Sequence, residues 1–214
     1  MIDDVKARLA LVREKVARLR NPDDIVIVAV TKGFGADTCR AALAAGLHVL
    51  GENRVHEAIL KMEDVPGAEW HLIGHLQTNK VRQAAGRFAL IHSVDSVRLA
   101  TEIARVEPHQ VVLLEINVAR EPQKHGADPD RAQEAIKEIS TFLELRGLMA
   151  MGPSEGDPAP AFRELRQMRD DAEQRLGKSL PVLSMGMSGD FEVAVAEGST
   201  MLRLGQALFG PRPS

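Results

Sequence analysis

Eight short apolar runs, separated by longer amphipathic segments, limit most strongly how this chain can fold. Most of the runs are rich in Val, Ile and Leu and show little alternation, as expected for parallel strands covered by helices. A regular alternation of strand and helix predicts the α/β class and, with eight strands, a (β/α)8 TIM barrel. The runs are IVIVAVT (residues 25–31), HVLG (48–51), WHLIG (70–74), FALIHS (88–93), VVLLEINV (111–118), LELRGLMAM (143–151), PVLSMGM (181–187) and TMLRLG (200–205).

The segment before the first run predicts an additional N-terminal helix. Its apolar residues recur at steps of four and three, and the pair Asn21–Pro22 ends the pattern. The length leaves no room for a second domain, so we expect a single domain over residues 1–214. An open doubly wound sheet is the alternative, but it lacks a GxGxxG motif after the first strand. The helical stripe is Val5, Leu9, Val12, Val16 and Leu19, and the glycines expected to end later helices are Gly46, Gly86, Gly177 and Gly198.

The composition excludes several classes of function. The 27 basic and 30 acidic residues give a net charge of −3, without the excess of basic residues typical of nucleic-acid-binding proteins. Six Phe, one Trp and no Tyr leave few side chains to stack on bases. No run approaches the roughly 18 apolar residues of a membrane span, and the charged N-terminus lacks a signal-peptide core. One cysteine excludes a disulfide framework and a multi-cysteine metal site. We therefore expect a cytoplasmic protein with no nucleic-acid, membrane or metal partner.

Lys32 directly follows the first apolar strand, at the end of the barrel where active sites are built. Apolar surroundings disfavour the ammonium form and lower the pKa of a lysine, which prepares the amine to form a Schiff base. The alternative is a lysine whose amine reaches out into water from a strand end. Position alone favours that alternative.

Two glycine-containing turns follow the last two strands and indicate a phosphate site. Ser188 and Gly189 come after strand seven, and Gly205 follows strand eight. Glycine permits close approach of a ligand, serine supplies a hydroxyl, and helix starts present free N–H groups. Barrels commonly bind phosphate in these two loops. The alternative is two ordinary helix starts, one capped by Asp190.

Strands eight and one are neighbours in a closed barrel, so one phosphorylated aldehyde can bridge Lys32 and the two turns. Pyridoxal 5′-phosphate is the cofactor of that kind. Arg203, within strand eight, is costly to bury without a partner, and the pyridine nitrogen of the cofactor would supply one. An arginine facing that nitrogen would keep it unprotonated and make the ring a weak electron sink. A salt bridge inside the barrel is the alternative partner.

Several blocks of sequence resemble one known family over nearly the whole chain and in the same order. With these blocks the chain is similar to the pyridoxal phosphate homeostasis protein family, whose members are single-domain barrels like alanine racemase. The blocks are AVTKG around Lys32, LGEN at 50–53, EWHLIGHLQTNK at 69–80, ELRGLMAM at 144–151, LSMGMSGDFEVAVAEGSTMLRLG at 183–205 and ALFG at 207–210.

The resemblance implies a fold of type III among pyridoxal-phosphate proteins and a set of cofactor-binding residues. In that family the lysine after strand one holds the cofactor, the two turns hold its phosphate, and the arginine faces the ring nitrogen. It assigns no catalytic residue and no metal ligand. Family members often carry Thr where this chain has Gln206, which removes one hydroxyl from the phosphate site. The implied cofactor-binding residues are Lys32, Asn53, Ser188, Gly189, Arg203, Gly205 and Gln206.

The resemblance also implies a protein that holds pyridoxal phosphate as a Schiff base, without established turnover, in vitamin B6 and amino-acid homeostasis. Its partners would be the cofactor and acceptor apo-enzymes, and we expect a monomer. A racemase-like enzyme with weak activity is the main alternative, although the chain has no tyrosine to act as second base. A phosphosugar enzyme and a partner-binding scaffold remain as further alternatives. The candidate substitute bases are Cys39, His75 and Lys80, and the candidate carboxylates of a phosphosugar enzyme are Glu52 and Glu115.

Overall fold

The computed structural model describes residues 1–211, and its eight strands form a closed parallel barrel in chain order. The first and last strands pair directly, with Val28 opposite Arg203 and Ala29 opposite Leu204, and so close the ring. The strands are β1 (Val26–Val30), β2 (Val49–Glu52), β3 (Glu69–Leu72), β4 (Leu90–Val94), β5 (Val111–Glu115), β6 (Glu144–Met149), β7 (Val182–Ser184) and β8 (Met201–Leu204).

Each strand of the barrel is followed by a helix, which confirms the predicted (β/α)8 arrangement. Short 3-10 turns at Pro22–Asp24, Thr78–Lys80 and Pro129–Arg131 precede β1, α4 and α6. The helices are α1 (Ile2–Ala17), α2 (Ala36–Ala44), α3 (Val55–Asp64), α4 (Val81–Ala84), α5 (Val97–Val106), α6 (Ala132–Ile139), α7 (Ala159–Leu176), α8 (Phe191–Ala196) and α9 (Gln206–Phe209).

The additional N-terminal helix is present as α1, and it packs against α9 and α2. Four of the five predicted stripe residues are buried, but Leu19 is 48% exposed. The inclusion of Leu19 was wrong because the helix ends at Ala17, before the stripe reaches that residue. The glycines predicted to end helices all have φ between 62° and 100°, as a left-handed helix end requires.

The core has two parts, one outside the barrel wall and one inside it. The larger apolar cluster lies between the strands and the surrounding helices. The smaller cluster is built on Val28, Leu90, Leu113, Met149 and Met201. Polar side chains are buried as well, and they include two histidines and an arginine. Buried polar groups need hydrogen-bond partners, and the two histidines and the arginine find them among other side chains and backbone oxygens.

No helix among residues 1–211 combines the length and the apolar character needed to cross a membrane. The assignment of residues 1–214 to one domain stays a prediction.

Phe162→Ala should cost about 3–5 kcal/mol of unfolding free energy, because Phe162 on α7 is fully buried and its loss leaves a cavity. Leu60→Ala is the matched control, since Leu60 is 56% exposed on α3, and it should change stability by less than about 0.5 kcal/mol. Urea unfolding followed by circular dichroism measures both. Equal losses in the two variants would contradict this packing of α7 on the barrel.

Candidate functional site

A cavity of about 350 Å³ opens at the C-terminal end of the barrel, and residues at or just after the strand ends line it. It brings together six of the seven predicted cofactor-binding residues. Apolar side chains from β1 and from the loops after β1, β3, β6 and β7 complete its wall. The predicted residues are Lys32, Ser188, Gly189, Arg203, Gly205 and Gln206, and the apolar ones are Val30, Phe34, Ile73, Met151 and Met187.

The pairing of β1 with β8 explains why residues from opposite ends of the sequence line one cavity. Val28 lies opposite Arg203, so Lys32 and Gly205, which follow the two strands, emerge at the same end. The neighbouring turn after β7 depends on Gly186, whose φ is 97°. A Cβ there would lie 2.6 Å from the Cβ of Ala194, so only glycine lets the turn pack on α8.

The turn at residues 187–190 presents free backbone donors to the cavity. The N–H of Met187 donates to Oδ1 of Asp190 at 2.6 Å, so the aspartate closes the turn rather than facing the cavity unpaired. Within residues 1–211, the N–H groups of Ser188 and Gly189 donate to no protein acceptor, and neither does that of Gln206. Three such donors around one space form a cradle for an anion.

The hydroxyl of Ser188 joins the two turns. Its Oγ accepts a hydrogen bond of 3.0 Å from the N–H of Ala207, just after Gln206 in α9. Because the oxygen accepts that bond, its own proton remains to be donated elsewhere. Ser188 therefore orients one turn against the other and still offers a donor to the cavity.

Arg203 is buried at the base of the cavity. Its Nη1 donates to the carbonyl oxygen and the Oγ of Ser184, both at 2.7 Å, and its Nη2 donates to the carbonyl oxygen of Ala150 at 2.9 Å. A guanidinium has five N–H groups, so these bonds leave at least two for a ligand. Burial lowers the pKa of Arg203 to about 10, so the group stays charged. The salt bridge considered as its alternative partner is not formed in the part of the chain described here.

Glu115, at the end of β5, is the acidic group whose charge acts most strongly on Arg203. Its side chain is buried, and this burial raises the pKa of Glu115 to about 7, against the opposing effect of the Arg203 charge. The pair therefore places a fixed cation beside a carboxyl group that changes its charge near neutral pH.

Glu52, the other candidate carboxylate, serves a different purpose. Its Oε1 accepts hydrogen bonds from Thr31 Oγ1 and Lys61 Nζ, both at 2.6 Å, while Lys61 also donates to the carbonyl oxygen of Thr31. This buried cluster fixes the end of β1 immediately before Lys32. Glu52 does not line the cavity. Cys39 is buried too, and desolvation raises the pKa of its thiol, so the thiol is poorly suited to act as a base.

Asn53, the seventh predicted residue, lines a separate cavity of about 290 Å³, together with His75 and Lys80. The backbone of Asn53 also passes the end of the next strand closely, since a Cβ on Gly74 would lie 2.3 Å from the carbonyl oxygen of Asn53. A role for Asn53 in cofactor binding stays a prediction.

Three side chains that could share a cation meet near this second cavity, although the sequence analysis predicted no metal ligands. The donor atoms of His75, Asp95 and His125 lie within 4.8 Å of one another. The rings of His75 and His125 are stacked at 3.9 Å and nearly parallel, with 9° between their planes. Their in-plane lone pairs therefore do not converge, and one ring would have to turn before the three could bind a metal.

Comparison with known proteins shows which family this chain resembles. Residues 2–213 match the family model described as alanine racemase, N-terminal domain. The pyridoxal phosphate homeostasis protein of Deinococcus radiodurans is 41% identical over 212 residues, covering 96% of this chain and 99% of its own length. That of Escherichia coli strain K12 is 38% identical over 231 residues, covering 99% and 98%.

The chain belongs to the pyridoxal phosphate homeostasis protein family. A solved structure of PipY from Synechococcus elongatus PCC7942, with pyridoxal phosphate bound, matches with a TM-score of 0.85 and 35% identity, covering 96% of this chain and 100% of PipY. The predicted family and the predicted type III barrel are both confirmed.

The sequence analysis missed the polar side chains inside the barrel. His71, His92 and Ser184 lie within strands that were interpreted as apolar runs, and all three are buried. The available signal was a polar residue in the middle of each run, which periodicity alone does not separate from a surface position.

Glu115→Gln should stabilise the cofactor-free protein above pH 7 and have little effect below about pH 4. Because burial raises the pKa of Glu115 from 4.5 to about 7, the folded protein binds this proton more tightly than the unfolded chain. The contribution of this proton to the free energy of unfolding is complete below pH 4.5 and is lost as the pH rises through 7. Its full size is roughly 3 kcal/mol. Denaturant unfolding at several pH values measures it. A gain that does not vary with pH would contradict the raised pKa.

Proposed function

We propose that this protein binds pyridoxal 5′-phosphate in the mouth cavity, holds it as a Schiff base on Lys32, and takes part in vitamin B6 and amino-acid homeostasis. The observation that carries the proposal is the meeting of three kinds of group in one cavity. These are a lysine amine, a cradle of free N–H groups around Ser188 and Gly189, and the buried guanidinium of Arg203.

The donor set fits this cofactor. When bound, pyridoxal phosphate supplies an aldehyde that a lysine amine can hold covalently. The N–H groups of Ser188, Gly189 and Gln206, with the Ser188 hydroxyl, suit the phosphate dianion. The unused N–H groups of Arg203 suit a ring nitrogen, which accepts one hydrogen bond. Val30 and Ile73 supply apolar surface for the faces of a ring.

Arg203 favours holding the cofactor over using it as a catalyst. Its pKa of about 10 keeps the guanidinium protonated, so it would donate to the ring nitrogen without transferring its proton. An unprotonated ring withdraws electrons weakly and therefore stabilises a carbanion poorly. The substitute bases considered for a racemase also fit poorly, because His75 and Lys80 line the neighbouring cavity and Cys39 is buried.

The wider biological setting is part of the same proposal. A cofactor held by one covalent bond at an open mouth can be passed to another amine, so acceptor apo-enzymes are the expected partners. The protein would act as a cytoplasmic monomer and would have no catalytic turnover of its own. The relatives that support this reading are named as homeostasis proteins rather than as enzymes.

Lys32→Ala should abolish the fixed adduct that forms when the protein is mixed with pyridoxal phosphate and reduced with borohydride. The fold should persist, because Lys32 lies beyond the end of β1 and outside the packed core. Lys80→Ala is the matched control, since Lys80 is an exposed lysine at the same end of the barrel, and it should keep the adduct. Intact mass and peptide mapping give the yield. A wild-type yield from Lys32→Ala would show that another lysine reacts.

Ser188→Ala should weaken binding of pyridoxal phosphate roughly tenfold, since a hydrogen bond to a charged group is lost. Binding of pyridoxal, which has no phosphate, should stay the same. Absorbance titration with the two ligands measures the contrast. Equal losses for both ligands would mean that Ser188 only holds the two turns together through Ala207.

A further inference from the structure

A continuous chain of hydrogen bonds runs through the barrel interior from the mouth cavity to the opposite end. Nη1 of Arg203 donates to Oγ of Ser184 at 2.7 Å, and that oxygen lies 2.9 Å from Nδ1 of His92. Nε2 of His92 lies 3.0 Å from Nδ1 of His71, and Nε2 of His71 lies 2.9 Å from Oε1 of Glu69. We call these five residues, on β8, β7, β4 and β3, the interior relay.

The two ends of the interior relay determine where every proton lies. A guanidinium can only donate hydrogen bonds, and a carboxylate can only accept them. His71 must therefore donate from Nε2 to Glu69, which leaves its Nδ1 as an acceptor. His92 must then donate from Nε2 and accept at Nδ1. The Ser184 hydroxyl accepts from Arg203 and donates to His92, so all four bonds point the same way.

Burial keeps both histidines in the neutral form that this pattern requires. His92 is fully buried and His71 is 2% exposed, and desolvation lowers the pKa of each. The charged groups that face them are Arg203, which also opposes protonation of His92, and Glu69, which favours protonation of His71. An extra proton on Nδ1 of His92 would give Ser184 a second donor and leave the Ser184 proton without its acceptor. An extra proton on Nδ1 of His71 would set two N–H donors against each other, because Nε2 of His92 donates to that atom.

We propose that the interior relay positions Arg203 for the cofactor and couples it to the charge of Glu69 at the far end of the barrel. Oγ and the carbonyl oxygen of Ser184 both accept hydrogen bonds from the Arg203 guanidinium, and these two bonds fix the plane of the guanidinium. The relay in turn polarises the Ser184 hydroxyl, because each acceptor before Glu69 is itself a donor to the next residue. Glu69 is 55% exposed at its side chain, so the relay connects a surface carboxylate to the cavity.

The part of this inference that concerns the cofactor rests on the proposed function, whereas the proton pattern does not. The first test therefore uses the cofactor-free protein. Nitrogen-15 NMR of the 7 histidines should show two that are neutral and protonated on Nε2 near neutral pH. Loss of one of these signals in His92→Gln assigns the pair. An Nδ1-protonated or doubly protonated ring at His71 or His92 near neutral pH would overturn the relay.

The second test perturbs the relay from its exposed end. Glu69→Gln removes the charge but keeps a hydrogen-bond acceptor, and it should shift the nitrogen signals of both His71 and His92. Glu144→Gln is the matched control, because Glu144 is also the exposed first residue of its strand and pairs only with Arg146 among the described residues. It should leave both histidines unchanged. A response to Glu69→Gln no larger than the response to Glu144→Gln would overturn the coupling.

The third test measures whether a change in the relay alters cofactor binding in the cavity. Glu69→Gln should weaken binding of pyridoxal phosphate by roughly two- to fivefold, since Arg203 is held less firmly, and Glu144→Gln should not. Failure of the wild-type protein to bind the cofactor would overturn the proposed function, while the NMR result would still decide the relay. Normal binding with no contrast between the variants would overturn the positioning role.

Discussion

Closure of the barrel through the pairing of β1 with β8 is the constraint on which the site depends. Without that pairing, Lys32 and Arg203 would stand at opposite edges of an open sheet. With it, Val28 and Arg203 face each other in register, and the lysine and the two turns surround one cavity. Parallel strands also require helical crossovers, so all the turns that carry functional residues fall at the same end.

Burial of charge is the second organising feature, and it explains the polar interior. Arg203 cannot be left unpaired in the barrel, so the backbone of Ala150 and the oxygens of Ser184 satisfy it. Burial is also the main cause that lowers the pKa of His92 and raises the pKa of Glu115, while the Arg203 charge adds to the first shift and opposes the second. Burial of these groups, together with the charge of one guanidinium, thus sets the chemistry of the barrel interior.

The sequence predicted the fold well because its signals are local. Each strand is a short run of branched apolar residues, and Lys32, Ser188 and Gly205 follow such runs directly, so their place at the mouth comes from the strand ends. The Leu19 error has a similar origin, since periodicity continues past Ala17 although the helix does not.

Contacts between residues that are far apart in the sequence could not be predicted from the sequence alone. His71 contacts His92, and Ser184 contacts Arg203, because their strands point these side chains toward each other inside the barrel. Likewise the loops after β3, β4 and β5 bring together residues as distant in sequence as His75 and His125.

A crystal structure of this protein grown with pyridoxal phosphate would decide whether Lys32 and the two turns hold the cofactor. We expect density continuous with Nζ of Lys32, phosphate oxygens on the N–H groups of Ser188, Gly189 and Gln206, and the ring nitrogen on Arg203. Density for the phosphate on Arg203, or a cofactor bound away from Lys32, would contradict this expectation.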